Sequence, residues 1–175
     1  MKVRLVIIGN SGSGKSYLAA RLSERLSLSV IALDRLFWEP GGFNRKRPEA
    51  LVLEDIARLK LQPQWIVEGV FGALAARFLD RADCLIWLDV NWETCQQSLL
   101  QRGSEKAKQL DPEQAEASFQ TLLVWAADYW ERDSPNSYRG HQALYAAFPR
   151  SKLTLQNRQA VDRLIADAKL PKTAQ

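Results

Sequence analysis

The chain has 175 residues, 46% of them hydrophobic and 25% charged, a balance that suits one globular domain and excludes disordered, collagenous and fibrous chains. The net charge of +4 is unevenly spread: residues 1–60 hold eleven Lys and Arg against six Asp and Glu, and the remainder is near balance. Such a bias attracts polyanions, including nucleic acid, and equally phosphate-bearing small molecules.

No apolar run has the length of a membrane span, and because Met1-Lys2-Val3-Arg4 leads directly to Gly9, no secretory leader is expected. Cys84 and Cys95 form neither a disulfide framework nor a metal-binding spacing, so a reduced, cytoplasmic chain is expected.

Short apolar runs alternate with helical patterns, the signature of a parallel sheet wrapped by helices. The first strand is read at Val3–Ile8 and the helix after it at Lys15–Leu28. A second strand covers Ser29–Leu33; a loop broken by Pro40-Gly41-Gly42 follows, and Pro48 opens the next helix at its first turn. Trp65–Glu68 reads as the third strand, Cys84–Asp89 as the fourth, Trp92–Arg102 as a helix, Lys152–Leu155 as a fifth strand and Arg158–Lys169 as a closing helix.

Between them, Gly103–Phe148 is a polar excursion. Its Asp111-Pro112-Glu113 reads as an N-cap with a first-turn proline and acid, opening a helix that carries Phe119, Leu122, Trp125 and Tyr129. In that reading Trp125 and Trp130 pack the excursion onto the rest. One domain, residues 1–175, is expected.

The stretch that carries chemistry is Gly9-Asn10-Ser11-Gly12-Ser13-Gly14-Lys15-Ser16, a full match to the phosphate-binding loop pattern. Glycines let backbone N–H groups approach phosphate oxygens, and the helix from Lys15 points its positive end at the same place. Lys15 would reach the β- and γ-phosphates and the Ser16 hydroxyl would take a position on Mg²⁺. The strand before the loop and the helix after it are the context the motif requires.

Candidate acids stand at strand ends, where open α/β sheets hold ligands. Asp34 could take a proton from an attacking hydroxyl or hold metal-bound water, or be a turn residue. Glu68 could orient water on Mg²⁺ or merely close its strand, and Asp89 ends the fourth strand in a loosely Walker B manner. Arg45, Lys46 and Arg47 follow the Pro-Gly-Gly loop, and Arg102, Arg132 and Arg139 border or lie in the excursion. Guanidinium forks suit phosphoryl transfer; a solvated helix face is the plainer alternative. Trp38 and Phe71 could stack on an acceptor ring, whereas Phe37 reads as core. His141, the only histidine, has no ligand-spaced neighbour and reads as a surface or helix residue.

The phosphate loop, Leu33-Asp34-Arg35-Leu36-Phe37-Trp38, Trp65-Ile66-Val67-Glu68-Gly69 and Arg77 ahead of Ala82-Asp83 resemble the adenylate-kinase-like proteins labelled "DNA topology modulation protein", over residues 1–105. That family stands with nucleoside monophosphate, shikimate and uridine kinases. The resemblance implies a five-stranded parallel sheet ordered 2-3-1-4-5, a substrate-binding insertion at 35–62 and a lid between strands four and five, within 103–148. It implies Asp34 near acceptor or metal, Arg77 reaching the acceptor's phosphate and Arg102 at the start of the lid. Glu68, Val70 and Phe71 depart from the family's Asp, Asn and Tyr, and the Gly-Phe-Pro-Arg of adenylate kinases is missing.

The expectation is an α/β phosphotransferase that uses ATP and Mg²⁺ on a small-molecule acceptor, with catalysis by Lys15, Asp34 and the arginines 102, 132 and 139. Substrate contacts are expected from Asp34, Trp38, Arg45, Arg47, Phe71 and Arg77. The alternative is a nucleotide-dependent regulatory or DNA-associated NTPase; no nucleic-acid-binding signature supports it, and nothing in the chain specifies an oligomeric state.

Overall fold

In a computed structural model, which describes residues 3–41, 43–103 and 112–167, five parallel strands form one sheet in the order β2-β3-β1-β4-β5. They are β1 (Arg4–Gly9), β2 (Val30–Ala32), β3 (Trp65–Gly69), β4 (Cys84–Leu88) and β5 (Ser151–Leu155). The helices are α1 (Lys15–Leu26), α2 (Leu33–Phe37), α3 (Glu49–Leu59), α4 (Gly72–Ala76), α5 (Trp92–Arg102), α6 (Pro112–Ala127), α7 (Tyr138–Ala147) and α8 (Arg158–Asp167), with a 3-10 turn at Asp128–Trp130.

Strict alternation in β1 decides the layers. Val6 and Ile8 point into a core with Val67, Trp65, Phe78, Leu85 and Trp87, to which α3, α4 and α7 contribute. Leu5 and Ile7 point the other way, onto Leu18 and Leu22 of α1, Cys95 of α5 and Val161 of α8. Both sheet faces are therefore covered, which is why the central strands are apolar throughout.

Because every pairing is parallel, all strand exits share one edge. Ile8 pairs with Gly69, and Ala32 with Glu68, so the exits of β1, β2 and β3 lie side by side.

Three helices differ from the sequence reading. The residues after β2 form a short helix instead of an open loop, with Leu33 and Leu36 buried and Asp34 in its first turn. The five-residue α4 is too short and too small in its side chains to show a period. In α7, Ser137 caps the Gly140 amide at 3.1 Å. Pro48 stands as the N-cap of α3, one residue outside it. The expected Asp111 cap, Gly42 of the loop and the last two residues of the closing helix lie outside the described residues. Among the described residues no helix is long and apolar enough to cross a membrane.

Candidate active site

The loop between β1 and α1 is shaped by close approach. Gly12 has φ +78°, and a Cβ there would come within 3.0 Å of the Cys95 carbonyl oxygen, so only glycine fits against α5. At the start of α1, Gly14 provides no side-chain cap, and the first turn holds no acid. Its first amides are left for an anion.

Asn10 is buried, and both polar atoms of its amide are hydrogen-bonded. Its Nδ2 donates to the Ala126 carbonyl at 2.8 Å, and its Oδ1 accepts from the Ser11 amide at 2.8 Å. Lys15 folds back over the loop, its Nζ donating to the Asn10 carbonyl at 2.7 Å. Burial pushes the Lys15 pKa down, against the pull of Glu68 and Asp34. The Ser13 hydroxyl is buried in the same loop with no hydrogen-bond partner among the described residues.

Across the β1–β3 pair, Ser16 Oγ donates to Glu68 Oε1 at 3.1 Å. Glu68 is only 5% exposed. Burial raises its pKa, Lys15 opposes the rise and Asp34 adds to it. Asp34 itself is exposed, so a solvent-accessible carboxylate and a buried one both act on one lysine.

A hydroxyl next to a carboxylate, with a second carboxylate nearby, is a hard oxygen donor set of the kind Mg²⁺ takes, usually with several waters retained. Ser16 and Glu68 therefore fit that ion. Among the described residues no cluster of three or more His, Cys, Asp or Glu side chains could hold a metal by itself.

The cationic candidates divide. Arg102 ends α5, is exposed, and lies near enough for its charge to act on Lys15. Arg45 is exposed beside the hairpin in which its carbonyl accepts from Glu39 at 2.8 Å.

Arg47 is committed elsewhere: it pairs with Asp55 at 2.8 Å and donates to the Leu36 carbonyl at 3.3 Å, tying α3 to α2. Arg132 is also committed, donating to the carbonyls of Trp125 and Asn136 and lying over the Trp125 ring at 3.7 Å. It staples the α6–α7 turn.

Arg139 is exposed and lines an open groove between α4 and α7. It lies two residues from inward-facing His141, so it points to the opposite side of α7. Arg77 follows α4, and its carbonyl accepts from Lys60 at the far end of α3. It stands toward the entry side of the sheet, away from the strand exits.

Phe71 is 7% exposed and stacks on Phe37 with ring centroids 4.2 Å apart, so its face is already covered by protein. Trp38 is half-buried and stands edge-on to Phe37 at 4.7 Å. Asp89 donates its amide to Leu155, and its carboxylate accepts from Gln156 at 3.5 Å, closing β4 against β5.

The largest departure is His141. It is fully buried in α7, with Nε2 at 2.9 Å from the Val70 carbonyl and Nδ1 at 2.7 Å from the Tyr129 hydroxyl. A surface or helix residue was expected; His141 is in a helix, but on its buried face. The neighbouring Arg139, Gly140 and Gln142 disguise the helix face that it shares with Leu144 and Tyr145.

No protein-family model matches the chain, and no curated protein matches it. Solved structures do match in fold. Shikimate kinase from Bacteroides thetaiotaomicron aligns over 95% of both chains with TM-score 0.51 and 14% identity. A sugar kinase from a Janibacter species aligns over 96% of this chain and 92% of its own, with TM-score 0.54 and 16% identity. The fold is the α/β phosphate-loop fold that these kinases share.

Proposed function

We propose that the chain is an ATP-dependent phosphotransferase that moves the γ-phosphoryl group to a small acceptor. The observation that carries this reading is the Ser16–Glu68 contact at 3.1 Å, set beside a buried Lys15 at the mouth of the phosphate loop.

In this reading the free amides of the loop and of the first turn of α1 hold the phosphate tail. Lys15 leaves the Asn10 carbonyl for the β- and γ-phosphoryl oxygens and balances the charge that develops there. Ser16 and Glu68 would hold Mg²⁺, which when bound neutralises phosphoryl oxygens. Asp34, exposed at the exit of β2, takes up the proton as the acceptor oxygen bonds to the γ-phosphorus and the bond to the β–γ bridging oxygen breaks. Arg102 is the cation at hand for the transferring group. Positioning and fixed charges do most of this chemistry.

The segment 35–62 and Trp38 supply the acceptor side, and the quoted motifs favour kinship with the adenylate-kinase-like "DNA topology modulation" proteins. A cytoplasmic enzyme fits the reading. The test is incubation with Mg-ATP and a panel of nucleosides, nucleoside monophosphates and polyhydroxy acids. Acceptor-dependent ADP release supports transfer. Slow ADP release indifferent to every acceptor, with salt-sensitive retention on DNA, would instead favour a nucleotide-dependent regulatory protein.

A further inference from the structure

β3 leaves its ladder at Gly69, the last residue with a strand partner. Val70 comes next, buried, with its carbonyl beyond the registered pairs. A buried carbonyl left without a donor costs about 1–3 kcal/mol. Whatever donates there sets how the chain turns out of the strand.

The donor is His141, 71 residues further on, at 2.9 Å. A carbonyl only accepts, so Nε2 carries the proton. Nδ1 is then the acceptor, and the Tyr129 hydroxyl donates to it at 2.7 Å. The two partners together select one tautomer. Burial lowers the His141 pKa to about 3, which keeps the ring neutral.

The same exit is gripped a second time. A Cβ on Gly72 would come within 3.0 Å of the Pro135 carbonyl oxygen. Mere filling of space would require neither a tautomer nor a bond to this backbone atom.

We propose that His141 is a positioning residue of the phosphate site: by holding the Val70 carbonyl it fixes the exit of β3, and with it the aim of the Glu68 carboxylate at Ser16. The proposal rests on reading Ser16 and Glu68 as the Mg²⁺ site. A group bonded directly to a metal-holding residue typically changes metal affinity about 10–100-fold when lost; His141 acts through the Val70 backbone, two residues beyond Glu68, so the lower end of that range is expected.

The test uses two variants of the full chain. In His141→Gln the amide nitrogen reaches the depth of Nε2 and keeps the donor to Val70. In His141→Asn the amide stops at the depth of Nδ1, so Tyr129 keeps its partner and Val70 loses its donor. Both variants remove the same ring, so a purely structural role would affect them alike.

Calorimetry of ATP with and without Mg²⁺ reads the site without any acceptor. We expect His141→Gln to keep the wild-type tightening by Mg²⁺ within about threefold and His141→Asn to lose about tenfold or more of it, with metal-free ATP affinity unchanged in both. Long-range ¹⁵N–¹H spectra of the single histidine should show the Nε2–H form.

An Nδ1–H spectrum, equal loss in both variants, or full tightening in His141→Asn would overturn the proposal while leaving the metal reading intact. Wild-type protein that binds ATP equally with and without Mg²⁺, or not at all, would overturn both. Should His141→Asn not fold, Tyr129→Phe takes its place: the bond to Val70 survives, so tightening stays within about threefold. A larger loss there would exclude the route through Val70.

Discussion

The side-chain amide of Asn10 donates to the Ala126 carbonyl at 2.8 Å, across 116 residues of sequence. The phosphate loop and the end of α6 therefore share a buried bond, and both polar atoms of the Asn10 amide are engaged in protein hydrogen bonds. Asn10→Ala leaves the Ala126 carbonyl and the Ser11 amide without their partner and should cost about 1–3 kcal/mol in urea unfolding. Asn10→Asp sets an acceptor against an acceptor and adds a negative charge to the loop, so ATP affinity should fall further than with alanine. Equal ATP affinities for the two variants would contradict this account of the loop.

Lys15 is buried with its pKa held down chiefly by desolvation. Removing a desolvated charge relieves a folding penalty, so Lys15→Ala should unfold no earlier than wild type on heating. Its turnover with Mg-ATP should fall by about 10²–10³-fold, as for loss of one fixed donor to developing charge. Undiminished turnover would remove Lys15 from the reaction.

Glu68→Gln keeps an oxygen that Ser16 can donate to but deletes the charge. The Mg²⁺ concentration for half-maximal ATP tightening should rise about 10–100-fold. Metal-free ATP affinity should change little. An unaltered Mg²⁺ dependence would leave Glu68 as a strand-end residue only.

His141 supplies a pH dependence of stability. In the unfolded chain it takes up a proton below its ordinary value of 6.5; in the folded chain burial delays this to about 3. Over that window the unfolded state holds the extra proton, so this contribution is complete above 6.5 and is lost as the pH falls. Its limiting slope is about 1.4 kcal/mol per pH unit. His141→Gln lacks it, so the stability difference between wild type and variant should be flat above pH 7 and shift against wild type below pH 6. Parallel curves down to pH 4 would show that His141 is solvated.

Gly72→Ala tests how firmly α7 and its preceding turn hold the exit of β3. Alanine favours a helix by about 1 kcal/mol over glycine, but here its Cβ would overlap the Pro135 carbonyl. The overlap should dominate, with net destabilisation of about 1–3 kcal/mol by urea titration. A stabilised variant would mean that this turn swings clear of α4.

The five strands and the phosphate loop were legible in the sequence because each rests on a local pattern, continuous apolar runs or glycines at fixed offsets; the strand order, which no local pattern carries, came only from the family resemblance. Ser16 and Glu68, which the structure joins by a hydrogen bond, were singled out in the sequence, one by the motif and one by its place at a strand end. What joins the excursion to the site was not. The Ala126, Val70 and Pro135 contacts are made to backbone carbonyls, which every residue carries and which no pattern marks. For the same reason Arg132 looked available for phosphate, although the acceptors of its guanidinium are the carbonyls of Trp125 and Asn136. Phe71 looked like a free ring because its stacking partner, Phe37, is 34 positions earlier and reaches it only through the β2–β3 pairing.

The strand order also governs how the molecule comes off the ribosome. β1 is made first yet lies at the centre, so it waits for β3 on one side and β4 on the other. At synthesis rates of about 5–20 residues per second, that interval lasts several seconds. The two carbonyl ties from α6 and α7 form later still, since Ala126 and His141 follow every central strand. A nascent chain arrested before residue 126 thus carries the complete glycine motif in a loop that has not yet gained its outer support.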